Sequence, residues 1–135
     1  YAYRGRVEYQ GLSLFETKNG AYTGNIIAPE ERKVEMLSKY IDMDIVEGVT
    51  RDIALLAQDN ILASYTGPFG VDMMVVRDGN NDVVLHPCVE LNLRRTMGHV
   101  ALSVPTAFDV FTKVMRICHD KTYRLRITRS EGDMP

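Results

Sequence analysis

A chain of 135 residues with 45% hydrophobic and 25% charged content carries enough apolar material for one folded domain with its own core. Sixteen basic against eighteen acidic residues give a formal charge of −2, which argues against the basic face that a nucleic-acid binder presents. No apolar run approaches the roughly 20 residues that cross a bilayer, and no signal-peptide pattern is present. Cys88 and Cys118 lack a secretory context, so they read as free thiols of a reducing, cytoplasmic compartment.

Tyr1–Gln10 reads as a strand, so the chain is expected to be a truncated piece of a longer protein rather than a natural remnant. Residues 7–15 and Ala21–Ile27 are rich in β-formers, and the Asn19-Gly20 dipeptide between them is favoured in tight hairpin turns. Pro29 then opens a helix over residues 30–41, with acidic residues in its first turn and Val34, Leu37 and Ile41 on one face. A second helix covers residues 48–65, with Ile53, Leu56, Ala57, Asn60, Ile61 and Ser64 along one stripe, and Gly67-Pro68 stops it. Residues 71–77, the turn cluster 78–82 and Val83–Asn92 form a second hairpin.

Thr96 is placed to cap a helix that reaches about Ile117, kinked by Pro105 or restarted near Thr106. Residues 122–128 make a last strand, and residues 130–135 a frayed tail. The order β-β-α-α-β-β-α-β, with strands arriving in hairpin pairs, predicts an α+β fold. Its antiparallel sheet would carry helices on one face, in a single domain over residues 1–129.

The two faces of Val83–Asn92 differ. Side chains alternate along a strand, so Val83, Leu85, Pro87, Val89 and Leu91 form an apolar face suited to a core. His86, Cys88, Glu90 and Asn92, ligand-type side chains, occupy the other. Glu90 and Asn92 present oxygens to the same side, the hard donors that Mg²⁺ takes together with waters and substrate phosphates. Asp72 interrupts a hydrophobic run in the partner strand and needs a partner or a metal if buried. A five-residue loop over 78–82 would set Asp72 opposite Cys88, on the face of Glu90; a four-residue loop would turn it to the other face. The spacing alone leaves the register open, and Asp…Glu-x-Asn is by itself a common pattern.

The wider string sharpens the reading. Gly70-Val-Asp-Met-Met-Val-Val, followed by His86-Pro-Cys-Val-Glu-Leu-Asn-Leu-Arg-Arg-Thr-Met-Gly-His-Val-Ala, resembles the C-terminal subdomain of the ATP-grasp superfamily, and in particular a bacterial branch of it. Gly11-Leu-Ser-Leu-Phe and Tyr22-Thr-Gly-Asn fit the same branch. The resemblance implies that Asp72, Glu90 and Asn92 hold Mg²⁺ or Mn²⁺ ions bridging the phosphates of ATP. It further implies that Arg94 or Arg95 faces ATP or an acyl phosphate, with Arg94 first because alternation puts it on the side of Glu90 and Asn92. Arg95 stays open between that role and a solvated lead into the helix.

By this resemblance the parent protein is an ATP-dependent ligase. It would join a carboxylate to an amine or thiol through an acyl phosphate. The phosphate-gripping lysines of the family belong to upstream subdomains and nothing here matches them, so the fragment alone is expected to be inactive. The alternative is a non-catalytic α+β binding or scaffold module.

Other residues receive plainer readings. His86 and Cys88 do not make a zinc site, which needs four ligands or three and a water, and are expected to line the floor of the metal site. The methionines, including Met73, Met74 and Met97, fill core. His99 and His119 read as ordinary helix or helix-end residues, and Arg4, Arg6, Arg124, Arg126 and Arg129 as solvated strand faces. RNA binding would need stacking aromatics among them, and only Tyr123 qualifies.

Overall fold

The structure, a computed structural model, describes residues 1–60, 64–107 and 109–130. It is an α+β fold whose strands pair antiparallel in hairpins, as the sequence predicts. The chain divides into two compact units, one of Tyr1–Gln10 with Val34–Thr96, the other of Gly11–Lys33 with the described part of Met97–Pro135.

The first unit opens with β1 (Ala2–Tyr3) and β2 (Arg6–Val7). The single strand expected over Tyr1–Gln10 is therefore a hairpin, because Arg4 (φ 48°) and Gly5 (φ 75°) take the two left-handed positions of a tight turn. Ala2, fully buried, exchanges backbone hydrogen bonds with Gly67 at 2.8 and 2.9 Å.

α1 (Glu30–Ser38) starts where Pro29 predicts but ends three residues before Ile41, which is itself buried. α2 (Met43–Asn60) begins five residues earlier than the apolar spacing indicated. Asp42 supplies the reason: its Oδ1 accepts the Asp44 N–H at 2.9 Å and caps the helix. The inward stripe runs through Val46, Thr50, Ile53 and Ala57, spaced four, three and four apart. Leu56, expected on the stripe, is 62% exposed, and Asn60 is exposed with it. Ile61 lies outside the described residues, and Ser64 follows the helix, exposed.

β5 (Gly70–Arg77) and β6 (Val83–Asn92) pair along their whole lengths as a two-stranded sheet, and α2 packs against β2 and β6. The apolar side of β6 is not the buried face the alternation promised. Val83 and Leu85 are half-buried, but Val89 is 49% and Leu91 40% exposed among the described residues.

The second unit is a four-stranded antiparallel sheet in the order β3-β4-β7-β8. β3 (Phe15–Lys18) and β4 (Ala21–Ile27) turn at Asn19 (φ 53°) and Gly20 (φ 78°), the pair the sequence marked. The first of these strands is shorter than residues 7–15 suggested, since Gly11 (φ 140°) breaks the run.

α3 (Met97–Leu102) follows Thr96 as expected but stops far short of Ile117. Pro105 ends the helical path, and β7 (Lys113–Asp120) with β8 (Thr122–Arg129) forms a hairpin about Lys121 (φ 62°). The apolar spacing over residues 96–117 suited helix and strand alike, and full-length pairing with β8 decided for strand. Ile27, Ala101 and Met115 form the core of this unit, with Met97, Val100 and Val104 packed against them. Ser130 donates its N–H to the Thr112 carbonyl at 2.9 Å; the remainder of the expected tail, residues 131–135, lies outside the described residues.

Candidate functional site

The β5–β6 hairpin brings the predicted carboxylates together. Its loop is the five-residue one, with Arg77 opposite Val83 and the Asp78 carboxylate accepting the Asn80 and Asp82 N–H groups at 2.9 and 3.0 Å. Simple counting from that loop sets Asp72 opposite Cys88. In the structure its partner is Glu90, because the register shifts between Asp72 and Met74, and Met73 alone stands against residues 87–89. Pro87 accounts for the bulge, since it has no N–H to give the ladder and strands accommodate proline at such irregularities. A shift of two residues preserves the face. Asp72 and Glu90 are thus direct cross-strand neighbours, and Asn92 pairs with Gly70 one step further along the same side.

Directly opposed side chains in an antiparallel pair hold their Cβ atoms about 5 Å apart, and like charges in that position destabilise the sheet. The electrostatics of Asp72 record the conflict. Its carboxyl is raised above the usual value, first by burial and then by the Glu90 charge, while the Arg94 guanidinium pulls it back. Asn92 is buried, and its Oδ1 accepts a hydrogen bond from Arg94 Nη2 at 3.0 Å. The other end of that guanidinium, Nη1, donates to the Arg95 carbonyl at 3.3 Å. Arg94 therefore sits on the side of the acidic pair, where alternation placed it. The Arg95 side chain is exposed, with only its backbone carbonyl engaged by Arg94.

The flanking residues divide. His86 pairs with Met74 beyond the bulge, and both are exposed. Cys88 lies in the bulge, exposed and free, as Cys118 is free in β7. Among the described residues no group of three or more His, Cys, Asp or Glu side chains is placed to hold a metal ion. The donors on this face are two carboxylates and an amide oxygen, a set short of a complete cage. Mg²⁺ rarely uses a complete protein cage, taking one or two carboxylates and filling its octahedron with waters and substrate phosphates. The Asp72–Glu90 pair, its repulsion offset in part by one arginine, fits such a cation.

Sequence reasoning missed a second polar assembly. In the second unit Lys33 is 3% exposed, its ammonium 2.8 Å from Glu30 Oε2 and donating to the Leu12 carbonyl, while Glu30 Oε1 accepts the Leu12 N–H at 2.7 Å. A lysine beside two acids on a helix reads as solvated, and its i,i+3 spacing from Glu30 was the one available signal. Asn25, 1% exposed, is held in the same unit by Tyr22, Ser13 and the Leu14 carbonyl.

No family model matches this sequence, and no curated protein or solved structure does so either. No helix among the described residues is long and apolar enough to cross a membrane.

Proposed function

We propose that the β5–β6 face of Asp72, Glu90 and Asn92 is a metal–phosphate half-site of the ATP-grasp type. The parent protein is then an ATP-dependent carboxylate–amine or carboxylate–thiol ligase. The observation that carries this reading is the direct cross-strand opposition of Asp72 and Glu90. Two directly opposed carboxylates destabilise a sheet, and a bound cation would relieve the repulsion that Arg94 offsets only in part.

On this reading the two carboxylates and the Asn92 amide oxygen hold Mg²⁺ or Mn²⁺, and Arg94 fixes the Asn92 oxygen through its 3.0 Å hydrogen bond. The free edge of the Arg94 guanidinium meets an ATP phosphate oxygen. Bound Mg²⁺ supplies neutralisation of the β- and γ-phosphate charge. The chain's residues position and stabilise charge, so no general base is required of them. ATP, the carboxylate and its acceptor complete the site with the upstream subdomains, and this stretch alone does not turn over. Glu90→Ala or Asn92→Ala in the longer protein abolishes ATP consumption with the fold intact.

A second reading, a non-catalytic binding module, is favoured by the exposed Val89, Leu91 and Leu93, at 49%, 40% and 45%. Mn²⁺ titration followed by amide NMR separates the two. The half-site predicts saturable broadening centred on Gly70–Asp72 and Glu90–Asn92, strengthened by ATP and lost in Glu90→Gln. Broadening centred on the Asp78–Asp82 turn, or none, rejects it.

A further inference from the structure

The second unit contains a half-open cleft of about 180 Å³, bounded by residues 12–13, the end of β4, the first turn of α1, and α3 with the segment after it. For scale, a cavity of about 150 Å³ lined by apolar side chains accommodates benzene. The floor is apolar, made by Ile27, Leu102 and Val104, and Lys33 and Ser13 stand on the wall.

A buried ammonium is costly unless its donors are used. Lys33 has three N–H groups; Glu30 Oε2 and the Leu12 carbonyl occupy two, and no third acceptor is present among the described residues. The Ser13 hydroxyl oxygen accepts from Asn25 Nδ2 at 2.7 Å, which leaves its own O–H available to donate. A cation with a spare donor and a hydroxyl with a spare donor thus line a cleft whose other walls are the aliphatic side chains of its floor together with Glu30 and Thr106. Glu30 cannot serve as the missing partner, because its two oxygens are engaged by Lys33 and the Leu12 N–H.

We infer that this cleft binds a small aliphatic monocarboxylate. The carboxylate accepts from the Lys33 ammonium and the Ser13 hydroxyl, and the branched tail lies on Ile27, Leu102 and Val104. The donor set selects the anion, because a neutral ligand of the same shape leaves the ammonium's third N–H without a charged acceptor. The volume limits the tail to a few carbons. Every residue involved belongs to the second unit, so the inference is independent of the metal reading of β5–β6.

Isovalerate and its neutral isostere isopentyl alcohol, titrated into the full chain and followed by amide NMR, test it. The acid should give saturable shifts at Ser13, Gly98, Ala101 and Leu102, and bind at least about tenfold more tightly than the alcohol, the factor expected of a charge-assisted hydrogen bond. Lys33→Met should erase that preference, and Thr106→Phe, at the half-buried rim, should weaken both ligands by narrowing the cleft. If Lys33→Met does not fold, the acid-to-alcohol ratio in the wild-type chain and in Thr106→Phe decides. Equal binding of acid and alcohol, no saturable shifts, or shifts unmoved by Thr106→Phe overturns the proposal.

Discussion

Two carboxylates in this molecule meet opposite circumstances. Glu30, in the second unit, lies 2.8 Å from a buried ammonium and holds a backbone N–H at 2.7 Å, so its charge is answered twice by the fold. Asp72, in the first unit, faces Glu90 directly across a two-stranded sheet, and its carboxyl is raised by burial and by that neighbour. The first arrangement clamps the chain at Leu12 and satisfies the charge of Glu30 within the fold. The second makes the sheet less stable than neutral residues would, which is the cost that the proposed metal site would offset.

The largest effect expected from breaking this contrast is at Lys33. Lys33→Ala removes the donor to the Leu12 carbonyl and leaves Glu30 without its cation. A buried pair broken on one side costs about 3–5 kcal/mol, reduced here to about 2–4 kcal/mol because Glu30 is half-open to solvent. Urea unfolding should show the midpoint falling at unchanged slope. A loss below about 0.5 kcal/mol, the range of ordinary surface changes, would remove the contrast altogether.

At Asp72 the sign reverses. Asp72→Asn keeps the shape and deletes one of two opposed charges, so without divalent cations it should stabilise the chain at neutral pH by about 0.5 kcal/mol, a value that solvent screening keeps small. The pH dependence follows from linkage. The folded carboxyl binds its proton more tightly than the unfolded one, whose ordinary value is 3.8. The wild-type chain therefore has its full share of stability from this group below pH 3.8 and loses it as pH rises through the raised folded value. The stability difference between Asp72→Asn and wild type should be constant below that range and grow above it. Added Mg²⁺ should cancel the gain, by stabilising the wild type and not the variant.

These two sites also show what a sequence discloses. Asp72, Glu90, Asn92 and Arg94 were legible as one face because strand alternation survives an even register shift. The partner of Asp72 was not, because Pro87 disturbs the ladder between the loop that sets the register and the residues that depend on it. α2 was legible as a helix, but its start was not, because a cap at Asp42 sets it and apolar spacing does not report a cap. The first half of β7 falls in the stretch expected as helix, because apolar spacing suits helix and strand alike and only pairing with β8 distinguishes the two. The Lys33 clamp was invisible for a different reason. Its meaning comes from Leu12, distant in sequence and touching it only through the fold.

The smallest effect, and the most discriminating, belongs to Arg94. Its guanidinium lowers the Asp72 carboxyl and holds the Asn92 amide oxygen, yet the side chain is exposed. If Arg94 only neutralises charge, Arg94→Met should deepen the loss of stability above pH 3.8 and do so less in high salt, where exposed charges are screened. If it also aims the Asn92 oxygen, Arg94→Lys should restore the pH profile but not Mn²⁺ affinity, because a lone ammonium does not reproduce the planar guanidinium that spans the Asn92 oxygen and the Arg95 carbonyl. Measured together, the two variants separate charge from geometry. Restoration of both properties by lysine would show that the face needs only a positive charge nearby, and the role of Asn92 as a directed metal ligand would fall with it.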